Sequence, residues 1–135
     1  MLKLINTISI LFISLLIISC KSSNDLTMER GIYFYEKHNY SEAANQFNKI
    51  ILSFPSNTNQ MSTEDLEIVA HAYQQLSLSQ SKLGLQADDM ENRKLYFQDA
   101  HKNIQKAEHL AIKPNKRQQY RKTLLGIQNQ LNLLK

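Results

Sequence analysis

The sequence predicts an all-α domain of about five helices behind an N-terminal export segment. Three observations predict it. Only 3 Gly and 2 Pro interrupt 135 residues rich in Leu, Gln, Lys, Ala and Glu, a composition that favours helix. Four segments carry apolar residues at helical spacing, and start or stop signals fill the gaps between them. No segment shows period-two alternation: Ile32-Tyr33-Phe34-Tyr35 is β-prone, but it would be a strand without a partner, so residues 25–37 read as helix too.

The export segment comes first. Lys3 supplies a positive charge, and residues 4–18 are mostly Leu, Ile and Phe. About 15 residues falls short of the roughly 20 that span a bilayer as a helix, so the run reads as the apolar core of a secretory signal. Ile17-Ile18-Ser19-Cys20 resembles the lipobox of bacterial lipoproteins. That resemblance implies that residues 1–19 are removed as a lipoprotein signal peptide and that Cys20 carries diacylglycerol and an acylated amino group. An ordinary signal peptide followed by a chance cysteine is the other reading. Cys20 is the single cysteine, so no intrachain disulfide claims it. Each buried methylene adds about 0.8 kcal/mol and one acyl chain anchors only marginally, so several chains on Cys20 would make a lasting anchor. Residues 20–25 then form the lipidated end and a polar tether. In the sorting scheme of enteric bacteria an Asp after the cysteine retains a lipoprotein in the inner membrane; Lys21 stands there, which implies the outer membrane.

The helices follow in order. Ala43, Phe47, Ile50, Ile51 and Phe54 fall on one face, with Asn39 and Glu42 spaced as a capping box and Pro55 ending the run. Leu66, Val69, Ala70, Tyr73, Leu76 and Leu83 form the next stripe, with Ser62 placed to cap it and Gly84 to close it. Asp88 and Glu91 repeat the capping-box spacing before Phe97, Ala100, Ile104, Ala107 and Ala111. After Pro114, Asn115 is placed to cap a last helix whose stripe is Tyr120, Leu124, Ile127, Leu131 and Leu134.

Residues 26–57 resemble one tetratricopeptide repeat (TPR). Gly31 is the small residue where the first helix crosses the second, and Phe34 is the aromatic three places on. Tyr40 opens the second helix, Ala43 is the small residue facing Gly31, Phe47 is the large apolar residue, and Pro55 closes the unit. Helices packed closely antiparallel need small residues at the crossing and bulky ones beside it. Residues 62–112 resemble a second, lengthened repeat through Tyr73, Leu76, Ser77, Gly84, Ala100, Ile104 and Ala107, and residues 115–135 would cap the array. A lipobox, a tether and a first repeat reading NYSEAANQFNKIILSFPSN together resemble the BamD family, the TPR lipoproteins of the outer-membrane β-barrel assembly machine. Members of that family usually carry about five repeats, and this chain has room for scarcely more than two.

The resemblance implies a lipid-anchored adaptor on the periplasmic face of the outer membrane, partnered by a BamA-like barrel protein or its periplasmic domains. It implies no cofactor beyond the covalent lipid on Cys20. A different envelope adaptor, or a surface lipoprotein binding some other protein, is the alternative. Threading the repeat pattern gives a groove made by Met28, Ile32, Tyr35 and Glu36, followed by His71, Gln74, Leu78, Ser81 and Lys82.

The residues themselves offer little chemistry. Lipid on Cys20 would consume the one thiol, and no phosphate loop, Gly-x-Ser-x-Gly turn or His-Glu-x-x-His run is present. Enzymatic function is therefore not expected. Glu67 and His71 lie four apart and would offer two metal ligands, but no third has recognisable spacing, so no metal is expected. His101 and His109 have Lys102 and Lys106 nearby, which disfavours a cation, and both read as surface residues.

Charge is more informative. Residues 101–135 hold eight Lys or Arg against the single acid Glu108. Lys116 and Arg117 stand in the first turn of the last helix, and Arg117 and Arg121 are like charges four apart. No compensation is visible in the sequence, so Lys116, Arg117, Arg121 and Lys122 are candidates for an acidic protein partner or anionic lipid, with a solvated basic face as the plainer reading. Export disfavours nucleic acid.

Overall fold

The computed structural model describes residues 22–135. The signal segment 1–19, Cys20 and Lys21 lie outside the described residues. Five helices follow one another: α1 (Ser23–Glu36), α2 (Tyr40–Leu52), α3 (Thr63–Gln86), α4 (Met90–Leu110) and α5 (Pro114–Leu133), with a short 3-10 turn (Thr58–Gln60) between α2 and α3. Among the described residues there is no strand, and Ile32 through Tyr35 are helical. The all-α reading holds. No described helix is long and apolar enough to cross a membrane.

Local chemistry sets the boundaries, in several places a residue or more from where the sequence put them. The tether is shorter than residues 20–25, because Ser22 and Asp25 form a reciprocal capping box (3.1 Å each way) that starts α1 at Ser23. Ser62 caps α3 as expected, again reciprocally with Asp65. Asn39 caps α2 by accepting from the Glu42 N–H. The cap of α4 is Asp89, not Asp88: its carboxylate takes both the backbone and side-chain N–H of Asn92. Helix α5 starts at Pro114, where the fixed φ suits the first turn and no N–H is lost, so Asn115 already lies inside it. Gly84 does not close α3, which runs on to Gln86; the glycine is buried under the Phe97 ring instead.

The end of α1 is a Schellman motif. The His38 N–H donates to the Tyr35 carbonyl and the Asn39 N–H to that of Phe34, with His38 in the left-handed region at φ 60°. Few residues other than glycine take that conformation. His38 is held there by a 2.7 Å hydrogen bond between Nδ1 and the Tyr40 hydroxyl.

Each helix packs mainly on its neighbours in the chain, and α1 touches α3 more lightly. Two cores result. Ala43, Phe47 and Ile50 of α2 meet Ala72 and Leu76 of α3, with Met28, Ile32, Phe34 and Tyr35 of α1 packed alongside. Phe97, Ala100, Ile104 and Ala107 of α4 meet Ala70 of α3, Ala111, and Tyr120 and Ile127 of α5. Helix α3 belongs to both. At about 100° per residue, Ala72 and Leu76 point one way and Ala70 the other, so α3 is enclosed on two sides. That enclosure explains its buried polar residues: Ser77 and Ser79 are fully covered, and the Ser77 hydroxyl donates to the Ala100 carbonyl of α4 at 2.8 Å.

Gly31 lets α1 pack tightly on α2. A Cβ there would stand 2.5–2.9 Å from three atoms of the Phe47 ring. The expected partner at this crossing was Ala43; the atoms nearest the missing Cβ all belong to Phe47, while Ala43 is buried one turn earlier on the same face of α2. Tyr40 is buried and Phe34 half-buried, as packing roles demand, whereas Pro55 is exposed in the α2–α3 connection.

Candidate functional site

Two concavities flank α3. The smaller, about 260 Å³, is lined by alternate helices: Asn24, Asp25 and Met28 of α1, Glu64, Glu67, Ile68 and His71 of α3, and Lys116 and Tyr120 of α5. We call it the inner hollow. The larger, about 1060 Å³, opens between α2 and α4 with α3 beneath it, and we call it the outer groove. Its bed is Ile51, Phe54, Val69, Tyr73 and Leu110, and Lys102, Lys106 and His109 stand along its α4 wall. Val69 and Tyr73 project from α3 about 180° away from Glu67, Ile68 and His71, so the concavities lie on opposite sides of one helix.

Of the residues read as a groove, the fold brings Met28 and His71 together in the inner hollow, where Lys116 of the basic set joins them. The others are placed differently. Ile32 and Tyr35 are half-buried against the α1–α2–α3 core, and burial, with the nearby Tyr40, raises the Tyr35 hydroxyl above its ordinary pKa. Gln74 is 5% exposed and therefore offers no surface; its side-chain carbonyl accepts from Gln75 at 3.3 Å. Leu78, Ser81 and Lys82 are half-buried, and the Ser81 hydroxyl turns back onto the Ser77 carbonyl. Glu36 is exposed.

The basic set divides too. Arg117 donates from Nε and a terminal nitrogen (3.2 and 2.6 Å) to the carbonyl of Ala111, the residue that ends α4. Arg121 pairs with Glu108 at 2.6 Å. The like charges at Arg117 and Arg121 are thus compensated inside the molecule, one by the carboxyl end of a helix dipole and one by the lone acid of the region. Lys122 is exposed, and Lys116 faces the hollow.

Sequence reasoning missed the contact that Arg117 makes, and α3 ends with the same device. Arg93 donates to the carbonyl of Ala87, six residues back and again the cap of its helix, at 2.8 Å. Both joints place the N-cap two residues after the alanine and the arginine six after it. The pairs Ala87/Arg93 and Ala111/Arg117 were the available signal.

The electrostatics of the hollow are mixed. Glu67 accepts the Lys113 backbone N–H at 3.1 Å, which ties α3 to the start of α5. His71 lies 3.1 Å from the Gln75 side-chain amide, and burial, with Lys116 adding to it, lowers its pKa. Burial, with Glu67 adding to it, pushes Tyr120 up to about 12. Glu67 and His71 thus have partners within the fold, and among the described residues no three His, Cys, Asp or Glu gather as a metal-holding group.

No family model, curated protein or solved structure matches this chain. The arrangement therefore speaks through its own geometry. Three alternate helices present a mixed polar and apolar hollow, and the connection between α2 and α3 opens a basic, apolar groove on the far side.

Proposed function

We propose that the chain is a lipid-anchored adaptor of the helical-repeat type, held on the outer membrane through Cys20 and working by recognition without chemistry. Within that reading, its role is that of an accessory subunit of the outer-membrane barrel-assembly complex, with a BamA-type protein as partner. The observation that carries the adaptor reading is that α1, α3 and α5 line a single hollow. Alternate helices sharing one concave face are what a stacked helical-hairpin array offers a peptide or a domain edge. The lipobox resemblance and the first repeat supply the anchor and the complex.

The test is photo-crosslinking in cells. A photoreactive residue at Met28 or His71 should capture one defined envelope protein, and the same residue at Lys122, away from the hollow, should not. Capture of a barrel-assembly protein supports the full proposal. Capture of an unrelated envelope protein removes the assembly role and leaves an adaptor, and no hollow-specific adduct overturns both. The anchor is tested separately: Cys20→Ala should abolish incorporation of labelled palmitate and release the chain from membranes.

A further inference from the structure

The outer groove has no part in the reading above, yet it is the larger concavity. We propose that it docks an acidic amphipathic helix of a partner protein. The proposal goes beyond the adaptor reading and does not rest on it, since the groove lies across α3 from the inner hollow.

Shape comes first. Helices α2 and α4 both pack on α3 and barely touch each other, which leaves a trough between two rods with a third as its floor. A further helix fits such a trough by the ridge-and-groove packing that joins the other helices. The floor is apolar, with Val69 and Tyr73 at its base and Leu52, 73% exposed, at its lip. An amphipathic helix would set its apolar stripe there.

Charge selects the occupant. Lys102, Lys106 and His109 are spaced i, i+4 and i+7, so they form one straight row about 10 Å long on α4. Among the described residues, no acidic side chain lines the groove. Lys106 sits over the Tyr73 ring at 5.2 Å and has no ion pair among the described residues. Lys102 has Asp99 at 3.8 Å, in an exposed pair that is worth little. A row of carboxylates at the same helical period on the incoming helix would face this row. An anionic membrane would satisfy the two lysines but not the shape: it is flat on this scale, and Val69 and Tyr73 lie at the base of the groove.

The test uses the full-length chain in phosphatidylcholine nanodiscs and a fluorescein-labelled synthetic helix with a Leu stripe flanked by Glu at i, i+4 and i+7. Binding is read by fluorescence anisotropy at low salt. The Glu helix should bind about ten-fold or more tighter than the same helix with Lys in place of Glu. Lys102→Glu with Lys106→Glu should weaken it about ten-fold, Leu52→Asn should also weaken it, and Lys116→Glu in the hollow should leave it unchanged. Where charge reversal lowers the melting temperature, the milder Lys102→Gln with Lys106→Gln is read instead, with a loss of about three-fold. Equal binding of the Glu and Lys helices, or a loss with Lys116→Glu as large as with the groove variants, overturns the proposal. So does capture of phosphatidylglycerol vesicles through Lys102 and Lys106 without capture of the helix, which would reassign the groove to a membrane.

Discussion

Gly31 and Gly126 are both helical, and alanine should act on them in opposite senses. At Gly31 a methyl group would meet the buried Phe47 ring at 2.5 Å, and neither the ring nor the α1 backbone has room to give way. Gly31→Ala is expected to cost about 1–3 kcal/mol. At Gly126 nothing lies within 4 Å of the added carbon, so Gly126→Ala should stabilise by about 0.5–1 kcal/mol through helix propensity alone. Phe47→Ala, from the other side of the crossing, should cost about 3–5 kcal/mol. Urea titration of the three variants checks all of them. His71 gives a pH signature with a fixed sign. Its pKa is lowered in the fold, so the unfolded chain binds the proton first. Stability should be complete above pH about 6.5 and fall as the pH drops below it, and His71→Gln should flatten that decline in pH-dependent melting curves. Gly31 and Phe47 stood out in the sequence through local spacing, but the sequence paired Gly31 with Ala43, whereas the Phe47 ring is what lies against it. It could not show that Gln74 is covered, since that depends on how α3 is wrapped by helices distant in sequence.

The helices differ in how their ends are finished, and that is where the chain hides most of its specificity. Asn39 and Ser62 were legible as caps because each acts on the residue three places ahead; Ser22, read as part of the tether, was not. The arginine caps were not, since a side chain reaching back over a joint leaves no pattern until a second copy is noticed. Arg93 and Arg117 each close the carboxyl end of the preceding helix and fix the angle at which the next one leaves. Arg117→Ala is expected to destabilise by about 1–2 kcal/mol, while Lys122→Ala, at the exposed position next to Arg121, should stay within about 0.5 kcal/mol. Differential scanning calorimetry distinguishes them, and equal effects would mean that the arginine bonds add nothing in solution. The sequence raised a functional suspicion from misplaced positive charge in α5; two of the four charges turn out to hold the helix in place.

At the scale of the whole fold, α3 is, among the described residues, the one helix shared by both cores. An array bonded to its neighbours in this way should open from its ends. Amide exchange is expected to be slowest along the middle of α3 and fastest in the first turn of α1 and the last turn of α5. Uniform protection would show instead that the five helices unfold as one unit. The helical class and the order of the elements were plain from composition and periodicity, because both are properties of short stretches. The two concavities were not, because each is assembled from residues 40 or more positions apart, such as Met28 with His71 or Phe54 with His109.

The four-sided use of α3 has one more consequence. Val69 and Tyr73 on one flank and Ile68 and His71 on the other are interleaved along the same two turns of chain. Whatever seats itself against one flank leans on a rod whose other flank is a second seat. A tilt of that rod by a fraction of an ångström would be felt by both guests, and by thermodynamic reciprocity each would alter the other's affinity by the same factor.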